Sequence, residues 1–128
     1  MIEIVMCIAC DENKVLLVRR KNNGEKLSWV FPGGTVEVGE TPFITAVREL
    51  KEETNIDSEA IEFIGERLHP YTKKHVAYVA VKPTSFELKL GDDDLDSLEW
   101  VEISRIEEYF KTSLYEAVKE YFIKSGLL

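Results

Sequence analysis

Apolar and polar residues alternate along this chain in two rhythms, and the change from one to the other separates predicted strands from predicted helices. From Ile2 to Cys10 and from Lys14 to Arg19 the residues are β-rich, and the polar triplet Asp11-Glu12-Asn13 between them is a turn signal, so the two runs predict a hairpin. Asn22-Asn23-Gly24-Glu25-Lys26 predicts a loop, and Trp29-Val30-Phe31 a short apolar strand running into Pro32-Gly33-Gly34. Ile61 to His69 and His75 to Val81 predict two more strands, joined by Pro70-Tyr71-Thr72-Lys73-Lys74, a loop that could lie over a site. Near the end, Ile106-Tyr109-Phe110 and Leu114-Ala117-Val118-Tyr121-Phe122 keep helical spacing, with Lys111-Thr112-Ser113 as a break and N-cap, and are expected to cover a sheet face.

The strongest helical signal lies between these runs. Thr41 is suited to accept a hydrogen bond from the first free backbone N–H groups, and Pro42 suits the first helical position, where its missing donor costs nothing. Asn55 tolerates the left-handed conformation that ends a helix, and apolar Ile56 follows it. The spacing therefore predicts a helix from about Pro42 to Asn55. At about 100° per residue, Phe43, Ala46, Val47, Leu50 and Thr54 share one arc, the expected packing face, while Glu49, Glu52 and Glu53 share the next.

Those glutamates repel one another, and no Lys or Arg is spaced to relieve all three. A hard divalent cation would, because it takes carboxylate oxygens while keeping positions for water and phosphate. Upstream, Gly33 and Gly34 let the backbone approach a ligand closely. The alternative is a solvated acidic face, and the flanking residues decide between the two.

Gly34, five residues, Glu40, seven residues, Arg48-Glu49-Leu50, one residue, Glu52-Glu53, one residue and Asn55-Ile56 resemble the signature of the Nudix (MutT-type) hydrolases, Gly-x5-Glu-x7-Arg-Glu-apolar-x-Glu-Glu-x-Gly-apolar. Six fixed positions at roughly 7% usage each coincide by chance about once in 10⁷ starting points. The one departure is Asn55 where the family has Gly, and both accept positive φ.

The resemblance implies an α/β (α+β) Nudix fold, a mixed curved β-sheet sandwiched between α-helices, over one domain of residues 1–128. It implies Mg²⁺- or Mn²⁺-dependent hydrolysis of a nucleoside diphosphate linked to another moiety, by water attack on phosphorus. Glu49, Glu52 and Glu53 are then expected to supply metal ligands, with one of them or a carboxylate from another loop as the base, and the Gly33 carbonyl to complete the coordination. Arg48 joins the catalytic group as the residue holding the glutamates. Glu40 is expected to brace the loop, and with Gly34 and Arg20 to stand on the substrate side, Arg20 as a phosphate contact. Relatives often draw a further metal-binding acid from a loop just before a Trp-containing strand. Leu98-Glu99-Trp100-Val101 resembles that strand, which makes Asp93 or Asp94 the candidate, Asp94 first.

With 128 residues and 45% hydrophobic content, the chain suits one domain with a real core. Its net charge of −8, from 24 acidic against 16 basic residues, argues against nonspecific nucleic-acid or anionic-membrane binding. A phosphorylated small substrate stays open, because metal reverses the local sign. Cys7 and Cys10 lie three apart on a predicted strand and point to opposite faces, so they read as reduced core thiols rather than a zinc or redox pair. No secretory leader or membrane span is visible, and a cytoplasmic protein is expected. Asp92-Asp93-Asp94-Leu95-Asp96 fails as a calcium loop, having Ser97 and Ile103 where Gly and Glu are needed. His69 and His75 are the only histidines and read as structural or substrate-touching, and no serine or cysteine sits in a nucleophile elbow.

The expected substrate is an (oxidised) nucleoside triphosphate, cleaved to the monophosphate and pyrophosphate. ADP-ribose, dinucleoside polyphosphates and other nucleotide conjugates are alternatives, because specificity sits in variable loops. A non-catalytic nucleotide sensor on the same fold, and an acidic interaction domain with a chance motif, are the other classes weighed. Oligomeric state is not readable from the sequence, and a homodimer is an analogy with relatives alone.

Overall fold

A computed structural model describes residues 1–21, 28–110 and 113–128. The loop predicted over 22–26, and Lys111 and Thr112 of the predicted break, lie outside the described residues. The first β-rich run forms β1 (Ile4–Asp11), which turns at Glu12, with φ of 54°, into β2 (Lys14–Arg20). The hairpin closes on only two residue pairs, Cys10 with Val15 and Asp11 with Lys14. Beyond them the arms part, because each strand has better partners elsewhere.

β1 runs parallel to β6 (His75–Pro83) and antiparallel to β4 (Gly33–Thr35). β2 pairs along its length with β7 (Leu95–Glu102) and, near its end, with β3 (Ser28–Val30). β5 (Ser58–Leu68) pairs with β6, giving a mixed sheet in the order β3-β2-β1-β6-β5, with β4 on β1 and β7 on β2. The Gly33-Gly34 stretch, expected as loop, is thus a strand. A Cβ on Gly33 would fall 2.2 Å from the Val5 carbonyl oxygen, so the missing side chain serves the approach of β1's own backbone.

Side chains alternate across β1 as a period of two demands. Val5, Cys7 and Ala9 face α1 (Pro42–Thr54) in a cluster with Leu16, Ala46 and Leu50, while Ile8, Val15 and Leu17 face Val118 and Phe122 of α2 (Glu116–Lys124). A 3₁₀ turn, Ile103–Glu108, adds Ile103 and Ile106 to that second cluster. The sheet therefore carries helices on both faces. The first C-terminal helical run is this 3₁₀ turn rather than an α-helix, and α2 has Tyr115 at its N-cap position instead of Ser113, with no side-chain cap.

α1 is capped as its ends predict: Thr41 Oγ1 accepts from the Ile44 N–H at 3.3 Å, and Asn55 adopts φ of 70°. Its buried face differs from the predicted arc. Thr45, Ala46, Leu50, Glu53 and Thr54 are buried, whereas Phe43, in the first turn, is exposed and meets Phe63 edge-on. The helix is rotated toward its glutamates, which puts Glu53 into the interior. Among the described residues no helix is long and apolar enough to cross a membrane.

Candidate active site

The loop from β4 into α1 is held by one ion-pair network. Arg48 Nε and Nη2 donate to the two oxygens of Glu40 at 2.6 and 2.9 Å, a bidentate fork. Its Nη1 donates to Glu49 at 2.9 Å and to Glu52 at 3.1 Å, and Nη2 reaches the Thr35 carbonyl at 3.0 Å. Glu40 also accepts from the Glu37 N–H and the Thr45 hydroxyl. The Arg48 guanidinium, followed by these further donors, holds the Glu40 carboxyl down at about 2.

The three helix glutamates are not equivalent. Glu52 keeps 56% of its side chain exposed, Glu49 14% and Glu53 3%. Glu53 Oε1 accepts from the Gly33 N–H at 2.8 Å, and Oε2 accepts from Arg20 Nη2 at 3.2 Å. Burial nevertheless pushes its carboxyl up to about 7, the Gly33 amide and Arg20 opposing, and the charges of Glu49 and Asp92 adding to the rise. Burial also raises Glu49, against the pull of Arg48.

Glu49 and Glu53 line a cavity of about 390 Å³ with Arg20, Gly33, Gly34, Glu37 and Asp92. Arg20 comes to it from the end of β2, and its Nη2 also lies 3.4 Å from the Gly33 carbonyl oxygen. A Cβ on Gly34 would fall 2.5 Å from the Glu49 carboxyl, so this glycine leaves room for a carboxylate.

Asp92 is the acid that the aspartate run brings to the cavity. Asp94, the sequence candidate, is not in its lining: its N–H donates to Asp92 Oδ1 and its carbonyl accepts from the Lys21 N–H. The loop is fastened by Gly91, whose N–H donates to the Glu53 carbonyl and whose Cβ would fall 1.9 Å from the Glu52 carbonyl oxygen. Asp92 and Glu37 were not identified from the sequence. Gly91 was the available signal for Asp92, since only glycine brings a loop this close to a helix end.

The donor set fits a hard divalent cation: every available ligand atom is a carboxylate or carbonyl oxygen. Among the described residues no three acids converge into a ready-made cage, because Glu49 and Glu52 are turned onto Arg48 and Glu53 onto Arg20. His69 Nδ1 accepts from the Tyr71 and Thr72 N–H groups in the β5–β6 turn, and His75 stands 3.8 Å from Glu66; neither lines the acidic cavity.

A second cavity, of about 230 Å³, shares Met6 with the first. Its walls are aromatic, from Trp29, Phe31, Tyr78, Phe110 and Tyr115, with Arg67 and His69 among its polar lining. Trp29 also packs edge-on against Tyr109, under the Arg19 guanidinium.

Comparison with known proteins identifies the family. The family model for the NUDIX domain matches residues 2–122. The ADP-ribose pyrophosphatase of Methanocaldococcus jannaschii is 40% identical over 86 residues, 64% of this chain and 51% of that protein. The RNA pyrophosphohydrolase of Nitratiruptor sp. is 30% identical over 118 residues, 77% of this chain and 76% of that protein. The chain thus spans about half the length of the first of these relatives. The crystal structure of a NUDIX hydrolase from Nitrosomonas europaea superposes with a TM-score of 0.79 at 24% identity, over 97% of this chain and 72% of that one, and shares the fold.

Proposed function

The chain belongs to the Nudix family, and from that membership we propose that it is a metal-dependent pyrophosphohydrolase, cleaving a nucleoside triphosphate to the monophosphate and pyrophosphate. The observation that carries this reading is the gathering of Glu49, Glu53 and Asp92 around one cavity with Gly33, Gly34 and Arg20.

Glu49, Glu52, Glu53, Asp92 and the Gly33 carbonyl are the oxygens that would hold Mg²⁺ or Mn²⁺. Such an ion, when bound, neutralises the diphosphate and lowers the pKa of water. Through Glu40, Arg48 ties the loop to the helix that carries the glutamates, and Glu49 and Glu52, paired with Arg48 here, would turn from it to hold the ion. Arg20 has donors beyond its bonds to Glu53 and Gly33 and presents them to phosphate oxygens. In the reaction, the oxygen of water forms a bond to phosphorus, the bridging P–O bond breaks toward pyrophosphate, and the proton of the water passes to a carboxylate. Glu53, buried in the wall of the cavity, is placed to take it. The aromatic cavity across Met6 takes the nucleoside.

A second reading, hydrolysis of ADP-ribose, is favoured by the name of the M. jannaschii relative. Pyrophosphate release from GTP and ATP, set against AMP release from ADP-ribose, with Mg²⁺, Mn²⁺ or EDTA, separates the two. Metal-dependent pyrophosphate release supports the proposal, and turnover of ADP-ribose alone replaces it.

A further inference from the structure

Beside the serine and tyrosine hydroxyls, which both donate and accept, Arg67 and His69 present the aromatic cavity with donors. Arg67 carries five N–H donors and no acceptor. Nε and Nη2 both donate to Tyr78 Oη, at 3.2 and 3.1 Å. Its guanidinium carbon stands 4.5 Å from the Tyr115 ring centre and 5.6 Å from that of Tyr78, so the fork is held in place by two rings that are themselves 4.8 Å apart. Among the described residues Arg67 forms no ion pair, and three of its N–H groups remain for a ligand. His69 Nδ1 accepts from two backbone N–H groups, which leaves the proton of the neutral ring on Nε2, again as a donor. Tyr115 Oη already donates to the Glu66 carbonyl at 3.1 Å.

A cavity with flat aromatic walls takes a flat ring. One that offers donors takes a ring whose edge carries acceptors. A phosphate is a poorer occupant, because among the described residues Arg67 is the single fixed positive charge in a lining that is otherwise neutral. The bidentate donor face of arginine matches the paired O6 and N7 acceptors of a 6-oxopurine, whereas adenine presents an amino donor at that place.

We infer that Arg67, oriented by Tyr78 and Tyr115, is a specificity-determining residue that selects nucleotides with a 6-oxopurine base over those with a 6-aminopurine base. The inference rests on the proposed nucleotide substrate and deepens it, but it is a statement about binding and can be read without turnover.

The test is titration calorimetry of the full chain with inosine monophosphate and adenosine monophosphate, which differ in the 6-oxo and 6-amino groups. Wild-type protein is expected to bind the inosine nucleotide about tenfold or more tightly, the span of one good bidentate contact. Arg67→Met keeps the stem over Tyr115 and removes the fork, and Arg67→Lys keeps the charge without it. Both are expected to bring the ratio to about one while leaving the affinity for adenosine monophosphate within about threefold. Tyr78→Phe retains the guanidinium but removes the oxygen that aims it, and narrows the ratio. Circular dichroism identifies the folded variants. Equal binding of the two nucleotides by the wild type, or a preference that survives in a folded Arg67 variant, overturns the inference. Hydrolysis of ITP and ATP at equal kcat/KM would overturn it while leaving the reaction intact. An Arg67-dependent preference without hydrolysis would support it and remove the reaction.

Discussion

Replacing Glu53 with glutamine tests the electrostatics of the site without disturbing its shape. The Glu53 carboxyl titrates near 4.5 in the unfolded chain and at about 7 in the folded one. Folding therefore favours the protonated form, so stability is fully present below about 4.5, falls as the pH rises through about 7, and stays lower above it. At ~1.4 kcal/mol per pKa unit the displacement amounts to about 3 kcal/mol, applied to a side chain only 3% exposed. The glutamine side chain of Glu53→Gln does not titrate. Its carbonyl can keep the bond from the Gly33 N–H, and its amide faces Arg20 at a cost that is the same at every pH. Melts of both proteins in EDTA at about pH 4.5 and about pH 8.5 are therefore expected to show the variant gaining about 3 kcal/mol on the wild type at the higher pH, on the order of 10 °C in Tm. The same variant is expected to lose metal-dependent turnover while staying folded. An offset between the two proteins that does not change with pH would refute the burial argument, and retained turnover would remove Glu53 from the site.

Three further sets of substitutions follow from the geometry. Gly33→Ala sets a Cβ against the Val5 backbone and is expected to cost about 1–3 kcal/mol or more in thermal melts, whereas Gly34→Ala meets only the movable end of Glu49 and is expected to keep the fold while weakening metal-dependent turnover. Asp92→Asn is expected to lower kcat/KM at least about tenfold, with Asp94→Asn within about twofold of wild type, measured as metal-dependent nucleotide hydrolysis. Arg48→Lys breaks the fork on Glu40 and is expected to lower Tm at pH 7, by an amount that shrinks as the pH falls toward 2 and Glu40 takes its proton.

Local chemistry was legible in the sequence where it is self-contained. Thr41, Pro42 and Asn55 announce both ends of α1 because capping involves only neighbours within a turn. The strand runs were legible from their β-rich composition and the turn residues between them, and the family from its signature. The rotation of α1 was not, because a helical wheel orders residues around an axis and does not say which arc meets the sheet. Glu53 can be buried only because partners 20 and 33 positions away, Gly33 and Arg20, supply donors. Asp92 was missed for a related reason: four neighbouring aspartates are alike in sequence, and only the seating of Gly91 on α1 selects which one faces the cavity. The parting of β1 and β2 was likewise decided by β6 and β7, strands far along the chain.

The most direct measurement is release of pyrophosphate from a nucleoside triphosphate panel by the purified protein, in Mg²⁺, in Mn²⁺ and in EDTA, with Glu53→Gln as control. Turnover is expected in the presence of metal, with none in EDTA and none from the variant. A folded wild-type protein that binds nucleotides in Mg²⁺ and Mn²⁺ and cleaves none of them would contradict the hydrolase reading and leave a nucleotide sensor on this fold.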